Sequence, residues 1–267
     1  MGNAKKALLT VSFGTSYGTE GFRTLETVRD YIRAAFPDRE CMDAWTSRVL
    51  RKKLLDGEGI EIPSVTEALE RLRDQGAEDV TVQPTHLLRG EEFQRLEQEI
   101  VQFSDCFRSI ALGAPLLSDE DDIRKIAGIL EKEYPVTEGE LLVLMGHGSA
   151  VGGFPVYELL QKQFEADGFT GACVGTVEFE PGIGPVLERI RKEVPRRVHL
   201  APLLLSDGGH VLSDMSGDGP GSWKNQILRE GAEVICHLRG LGEMEDVRVM
   251  YAEHAAKAEP VGRKELK

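Results

Sequence analysis

Three polar residues follow apolar segments of this sequence, and their types suit the binding of a divalent metal. His147 follows LLVLM with a glycine on each side, Glu178 ends ACVGTVE, and His210 follows PLLLSDGG. Apolar runs of this length, bounded by glycine and proline, are typical of buried parallel strands. Because ligands bind at the carboxyl ends of strands in open parallel sheets, we expect the three side chains to meet at one edge. Two imidazoles and one carboxylate would hold a metal and leave coordination positions open.

Each of these residues also has a more ordinary explanation. His147 and His210 could make only loop hydrogen bonds, and Glu178 could be a solvated acid. Two histidines at strand ends of one sheet make the metal-binding interpretation the stronger one. Glu180 competes with Glu178 as the carboxylate ligand, since both would point to the same side of an extended segment, with Phe179 opposite. Phe179 and Trp223 are expected in the core.

Further polar groups lie near other predicted strand ends. His86 ends the apolar stretch VTVQPTH, where it could bind a substrate, accept a proton or simply border the core. The loop SFGTS and the serine of GHGS present hydroxyl and backbone N–H groups, and Arg89 is one of four basic residues that could bind an anion. The candidate binding residues are therefore Ser12, Thr15, Ser16, His86, Arg89 and Ser149.

Short apolar segments alternate with charged segments of helical period along the whole chain. This alternation predicts an α/β fold with parallel sheets flanked by helices on both faces. The predicted strands are Ala7–Phe13, Cys41–Trp45, Asp79–Thr85, Ser109–Ala114, Leu141–Met145, Ala172–Val177, Val198–Leu205 and Glu233–His237.

The two halves of the sequence resemble each other. LLTVSFGTS resembles LLVLMGHGS, and VTVQPTHLL resembles VHLAPLLLSDGGH. One duplication accounts for both pairs and predicts two similar lobes, 1–134 and 135–267, with a cleft between them and the metal site in the second. We expect the last helix to pack back on the first lobe. Clefts of this kind are preferred ligand sites.

Composition excludes several classes of function. The 267 residues carry a net charge of −13 and are 41% hydrophobic, so neither nucleic acid nor an anionic membrane is expected as a partner. The Walker and GxGxxG patterns are absent after the first strand, which argues against a nucleotide cofactor. No apolar window reaches the length of a membrane span. We expect a soluble, cytoplasmic protein.

Five motifs along the chain resemble those of the anaerobic cobalt chelatases, the sirohydrochlorin cobaltochelatases of the class II chelatase superfamily. They are LLTVSFGTSY, QPTHLLRGEEF, LVLMGHGSA, GTVEFEPG and DGGHVLSDMSGDGPGSWKNQI, in this order and at matching spacing. The resemblance implies a chelatase fold and a metal held by His147, Glu178 and His210. Two motifs depart from the family pattern: Phe-Glu-Pro replaces Gly-Tyr-Pro after Glu178, and Gly-Gly-His replaces Gly-Asp-His.

The resemblance implies insertion of Co²⁺, as a substrate metal, into the tetrapyrrole sirohydrochlorin during anaerobic cobalamin synthesis. His147, Glu178 and His210 would then be the catalytic residues, and the six candidate binding residues would contact the macrocycle. Imidazole also suits Fe²⁺, Ni²⁺ and Zn²⁺, so ligand type alone does not select cobalt. The alternatives are a ferrochelatase acting on sirohydrochlorin or a porphyrin, and a non-catalytic tetrapyrrole or metal carrier. A metallohydrolase is disfavoured because HExxH is absent. The sequence does not determine the oligomeric state, and the protein could form a homo-oligomer.

Overall fold

A computed structural model describes residues 4–15, 19–149 and 155–262. The chain divides into two compact units, Met1–Leu117 with Arg248–Lys267, and Ser118–Val247. The sequence placed the boundary after residue 134 instead. The difference concerns helix α5 (Glu120–Glu133), which belongs to the second unit and packs on helix α6 (Val156–Ala166) there.

The elements of the first unit are β1 (Lys6–Ser12), α1 (Thr19–Ala35), β2 (Glu40–Trp45), α2 (Arg48–Glu58), α3 (Val65–Asp74), β3 (Asp79–Pro84), α4 (Glu91–Val101), β4 (Ser109–Leu112) and β9 (Glu259–Pro260). The five strands form one sheet with the order β2-β1-β3-β4-β9.

Strand β1 is buried on both faces after its first residue, as expected of a central parallel strand. Leu9 and Val11 pack on one face in a cluster with Leu69 of α3 and Leu96 of α4. Helix α3 begins at a capping box, in which Ser64 and Glu67 each accept the other's backbone N–H. The spacing of Ser64 and Glu67, which is typical of a capping box, therefore fixes where α3 begins.

The elements of the second unit are α5, β5 (Glu140–Gly146), α6, β6 (Ala172–Thr176), α7 (Gly184–Glu193), β7 (Arg197–Leu203), a π-helical segment (His210–Met215), α8 (Trp223–Arg229), β8 (Glu233–Cys236) and a short 3₁₀ turn (Leu241–Glu243). Its four strands form a parallel sheet with the order β6-β5-β7-β8. Helix α9 (Glu245–Ala256) follows, and its residues from Arg248 on belong to the first unit.

Two predicted strand ends differ from the structure by two residues, and the other ends agree to within one residue. Strand β7 stops at Leu203, because the carbonyls of Leu204 and Leu205 accept N–H groups of Leu241 and Gly242 instead of extending the sheet. Strand β4 stops at Leu112. Every predicted strand is otherwise present, so the predicted α/β class is confirmed.

The two sheets share one topology over their four parallel strands, with the order second, first, third, fourth in both. This shared order is what a duplication produces. Strand β9 is the exception to the prediction of parallel sheets, since it pairs antiparallel with β4. None of the described helices is long and apolar enough to cross a membrane.

Candidate metal centre

The ends of three neighbouring strands bring His147, Glu178 and His210 together. Strand β5 lies between β6 and β7, His147 follows β5, Glu178 lies just beyond β6, and His210 begins the π-helical segment after β7. One ligand atom from each residue lies within 4.8 Å of the others. No other group of three metal-binding side chains meets this criterion in the described part of the chain. These are the three residues that the sequence predicts as ligands.

Backbone pairing continues past the strand ends and sets Glu178 beside His147. Val177 donates its N–H to the carbonyl of Gly146 at 2.9 Å, and Glu178 donates to the carbonyl of His147 at 2.8 Å. The Oε2 atom of Glu178 consequently lies 3.9 Å from Nε2 of His147. Two atoms that bind one metal ion lie slightly closer to each other than this.

Gly148 is required by this close approach. Its φ is +96°, and a β-carbon at this position would lie 1.8 Å from the carbonyl oxygen of Glu178. Any other residue would be strained in this backbone conformation and would also displace Glu178. The glycine after His147 therefore permits the contact between the two ligand-bearing loops.

Tyr157 of α6 supports the same loop from below. Its phenolic oxygen accepts the N–H of Gly148 at 3.0 Å. A β-carbon on Gly146 would meet Cε1 of the Tyr157 ring at 2.3 Å, so the first glycine of GHG makes room for this ring. Burial raises the pKa of Tyr157. The phenol therefore stays protonated and neutral at physiological pH while it holds the loop.

Both imidazoles are anchored through Nδ1. His147 Nδ1 lies 3.3 Å from the carbonyl of Gly148, and His210 Nδ1 lies 2.7 Å from Oδ2 of Asp214. These contacts leave Nε2 of each ring for a metal. The two rings meet edge to face, with centroids 4.9 Å apart and an interplanar angle of 85°. The two rings are thus held in fixed but different planes.

The π-helical segment explains the position of Asp214. Ser216 donates its backbone N–H to the carbonyl of Val211, five residues earlier, and Val211 and Met215 are buried. A single turn of this type brings the carboxylate of Asp214 onto His210. The segment SDMSGDGPGSWKN, which begins at Ser213, predicts an irregular loop leading into a helix that starts near Ser222, and that prediction is wrong for Ser213–Met215, which belong to the π-helical segment. Turns of this type are frequent at functional sites.

The three candidate ligand side chains are partly open to solvent. Their exposed fractions are 46% for His147, 49% for Glu178 and 37% for His210. A fully enclosed structural metal site would bury its ligands. An open site of this kind lets a metal enter and leave.

The turn after Glu178 is not extended, which corrects the prediction that Glu178 and Glu180 point the same way. Phe179 has a φ of +59°, so the chain reverses between the two acids. Glu178 is the carboxylate that joins the imidazoles, and Glu180 is not part of the group. The expectation that Phe179 is a core residue is also wrong, because it is 53% exposed, whereas Trp223 is 3% exposed and lies in the core.

The candidate binding residues of the first unit follow β1 and β3. Ser12 ends β1, and its hydroxyl accepts a hydrogen bond of 2.9 Å from Thr85. Thr15 is buried two residues after Phe13. Both ring nitrogens of His86 are buried without a hydrogen-bond partner among the residues that the structure describes. Burial lowers the pKa of His86 to about 4, so the ring is neutral near pH 7.

The remaining candidates differ in their surroundings. Arg89 is exposed, pairs with Glu97 at 3.4 Å and lies over the ring of Phe93, so it is engaged by helix α4, which follows it in the chain. Ser149 is half-buried directly after the GHG motif. Ser16 lies outside the described residues.

Sequence reasoning missed Asp214 and Tyr157. The signal for Asp214 was a carboxylate four residues after a candidate histidine ligand, the spacing of one helical face. The signal for Tyr157 was weaker, since nothing in the sequence relates it to the glycines of GHG.

Comparison with known proteins places the chain in a family. The profile of the family described as Cobalt chelatase (CbiK) matches residues 6–259. The sirohydrochlorin cobaltochelatase of Salmonella typhimurium is 35% identical over 255 residues, which cover 95% of this chain and 96% of that protein. The sirohydrochlorin cobaltochelatase CbiKC of Nitratidesulfovibrio vulgaris is 29% identical and covers 95% of this chain and 90% of its own length.

Solved structures show the same fold at low sequence identity. SirB from Bacillus subtilis with Fe³⁺ aligns with a TM-score of 0.62 at 16% identity and covers 95% of each chain. CbiX, the terminal enzyme for biosynthesis of siroheme in denitrifying bacteria, aligns with a TM-score of 0.55 at 16% identity and covers 94% of this chain and 98% of its own. Because the family profile matches nearly the whole sequence and the Salmonella relative is 35% identical, the chain belongs to the cobalt chelatase family.

Proposed function

We propose that this protein inserts Co²⁺ into sirohydrochlorin, the reaction named for its curated relatives, as a step of anaerobic cobalamin synthesis. The observation that carries the proposal is the cluster of His147, Glu178 and His210 at the edge of the second sheet, in a chain of the cobalt chelatase family. In this proposal the three side chains hold the metal before its transfer to the macrocycle.

The geometry suits delivery of a metal. Three ligands leave coordination positions open, where water or the nitrogens of a tetrapyrrole would bind. Because the side chains are partly exposed, the metal would remain accessible to an incoming macrocycle. A closed, four-ligand site would hold the metal too firmly for transfer.

Metal insertion also releases two pyrrole protons. Neutral imidazole accepts protons near pH 7, and so does a carboxylate that has released its metal. His147, Glu178 and His210 are therefore proposed both as ligands and as proton acceptors. The step requires neither a redox reaction nor a nucleotide.

We propose cobalt as the metal because the chain belongs to the cobalt chelatase family. The proposed ligands alone do not distinguish metals. Two imidazoles and a carboxylate also accept Fe²⁺, Ni²⁺ and Zn²⁺. A ferrochelatase activity is thus the alternative within the same chemistry, and competition among the metals distinguishes the two.

The remaining candidate residues are proposed as contacts of the tetrapyrrole. Sirohydrochlorin carries many carboxylates, whereas this protein has a net charge of −13, so local donors must offset the unfavourable overall field. The residues proposed for this role are Ser12, Thr15, Ser16, His86, Arg89 and Ser149.

The test is anaerobic turnover of sirohydrochlorin, followed by absorbance, with Co²⁺, Fe²⁺, Ni²⁺ and Zn²⁺ in parallel. The native protein is expected to turn over repeatedly and fastest with Co²⁺. His147→Ala, His210→Ala and Glu178→Gln should each lower kcat/KM by roughly 100-fold or more, since each removes a ligand. Glu180→Gln is the matched control and should leave the rate near native.

Three outcomes would contradict parts of the proposal. Fastest turnover with Fe²⁺ would favour the ferrochelatase. Binding of one equivalent of sirohydrochlorin without turnover would favour a carrier. Native rates in all three ligand variants would keep the activity and remove the metal site.

A further inference from the structure

Phe179 has a backbone conformation that aromatic residues rarely adopt. Two non-glycine residues of the described chain have a positive φ, Phe179 at +59° and Val194 at +48°. Val194 ends helix α7, where a left-handed residue is common. Phe179 ends no helix, and a glycine would fit its conformation with less strain. A bulky residue at this position therefore needs another explanation.

The turn that carries Phe179 is held firmly. The hydroxyl of Thr176, a fully buried residue, donates to the carbonyl of Phe179 at 3.0 Å and accepts the N–H of Gly182 at 3.0 Å. One side chain thus joins both arms of the turn. The direction in which Phe179 projects is consequently set by the fold rather than by solvent.

The ring of Phe179 contributes little to the core and lies beside the metal centre. It is 53% exposed, and it is absent from the core cluster of the second sheet. Its Cδ2 would be 3.4 Å from a β-carbon on Gly148, the residue after His147. Phe179 also directly follows Glu178 in the chain. An exposed, firmly held phenyl ring therefore adjoins the loops that carry two of the three ligands.

We propose that Phe179 is a substrate-binding residue, whose ring packs against the conjugated face of the tetrapyrrole while the metal centre presents the metal. This inference rests on the proposed function. Aromatic rings stack on flat conjugated systems in offset or tilted arrangements, and they do so most effectively when they are already fixed in place. The neighbouring acid Glu178 would repel the carboxylates at the periphery of the macrocycle, so an apolar contact beside it suits the conjugated centre of the macrocycle.

Phe179→Gly is the most informative variant, because glycine keeps the positive φ and removes the ring. We expect the KM for sirohydrochlorin, and the Kd for sirohydrochlorin bound in the absence of metal, to rise roughly tenfold. The Co²⁺ affinity of the variant and its kcat should stay within about twofold of native. Phe179→Tyr should behave as native. Leu238→Ala, which removes an apolar side chain of similar exposure, 44%, is the control.

Each possible result decides the inference. An unchanged KM and Kd for sirohydrochlorin in Phe179→Gly would overturn it while leaving the proposed function intact. An equal loss of Co²⁺ affinity would also overturn it, since the ring would then be a support of the metal loops. If the native protein neither binds nor converts sirohydrochlorin, the proposed function fails, and this inference fails with it.

Discussion

The carboxyl edges of the two sheets have closely similar backbones and very different side chains. In the second unit Glu178 donates its N–H to the carbonyl of His147 at 2.8 Å, and in the first unit Ser47 donates to the carbonyl of Phe13 at 3.2 Å. The same pairing therefore sets a histidine beside a glutamate in one unit and a phenylalanine beside a serine in the other.

A glycine of positive φ follows in both units, for different reasons. At Gly148 a β-carbon would lie 1.8 Å from the backbone oxygen of Glu178, whereas at Gly14 it would lie 2.6 Å from a ring carbon of Trp45. The second unit uses the glycine to bring two ligand loops together. The first unit uses it to accommodate an aromatic side chain.

The comparison separates what the fold supplies from what the residues supply. The fold supplies an edge where three loops meet, and the histidines and the glutamate at that edge supply side chains that could hold a metal. Among the described residues the first unit has no such metal-binding group. Variants in both units test whether the side chains, rather than the shared fold, make the metal site.

Gly148→Ala should have the largest effect. The new methyl group would force the carbonyl of Glu178 away, and a displacement of about 1 Å at a reacting centre costs on the order of 100-fold in rate. We expect the loss in Co²⁺ affinity, measured by titration calorimetry, and in turnover to reach this size. Gly168→Ala is the control, since Gly168 also has a positive φ, +78°, and a β-carbon there would meet nothing within 4 Å. Equal Co²⁺ affinity and turnover in the two variants would show that metal binding does not depend on the close approach of the loops.

His86 should make the first unit sensitive to acid. Its pKa is lowered to about 4 by burial, so the unfolded chain binds this proton more readily than the folded protein. The stability that follows is full above about pH 6.5 and is lost as the pH falls towards 4. Between pH 7.5 and 4.5 this amounts to about 2–3 kcal/mol in the free energy of unfolding.

Urea denaturation of native protein and His86→Gln at the two pH values isolates this contribution, because the other titrating groups are common to both. The variant should lose less stability on acidification than the native protein. Parallel losses in the two proteins would show that His86 titrates normally.

Asp214→Asn tests the support of a ligand in the second unit. The carboxylate that lies 2.7 Å from Nδ1 of His210 fixes the ring and makes Nε2 a better metal ligand. Replacing such a partner typically costs 10–100-fold, roughly, in metal affinity or activity. We expect Co²⁺ binding to weaken by about this factor. Asp218→Asn changes an exposed acid that lies four residues after Asp214 and pairs with Lys224, and it should leave Co²⁺ binding unchanged.

Thr85→Val should have the smallest effect and should be confined to stability. The hydroxyl of Thr85 donates to Ser12 between β3 and β1, in a buried hydrogen bond. Its loss should lower the free energy of unfolding by about 1 kcal/mol. Co²⁺ affinity should not change. A marked loss of Co²⁺ binding would mean that the first unit takes a direct part in holding the metal.

The fold and the grouping of His147, Glu178 and His210 were predictable because their signals are strong. Eight apolar segments of strand length, with helical segments between them, leave little choice other than an α/β fold. His147 and His210 were identified by their positions at strand ends, where parallel sheets collect ligands. The repeated segments predicted two similar sheets, and the strand orders of the two agree.

The details that depend on irregular backbone were not predictable. Asp214 meets His210 within a π-helical turn, and the four-residue spacing between them does not by itself predict such a turn. Phe179 adopts a left-handed conformation that its residue type disfavours, so the sequence predicts an extended segment and a buried ring. Strand β9 is two residues long and carries no apolar pattern. In each case tertiary contacts decide the local conformation.

Anomalous diffraction at the cobalt edge, from crystals of native protein and of Glu178→Gln soaked with Co²⁺, would locate the metal directly. We expect one strong peak within bonding distance of His147, Glu178 and His210, and its loss or marked weakening in the variant. A strong peak elsewhere, or an undiminished peak in Glu178→Gln with the side chain turned away, would contradict the assignment of these three residues as the metal centre.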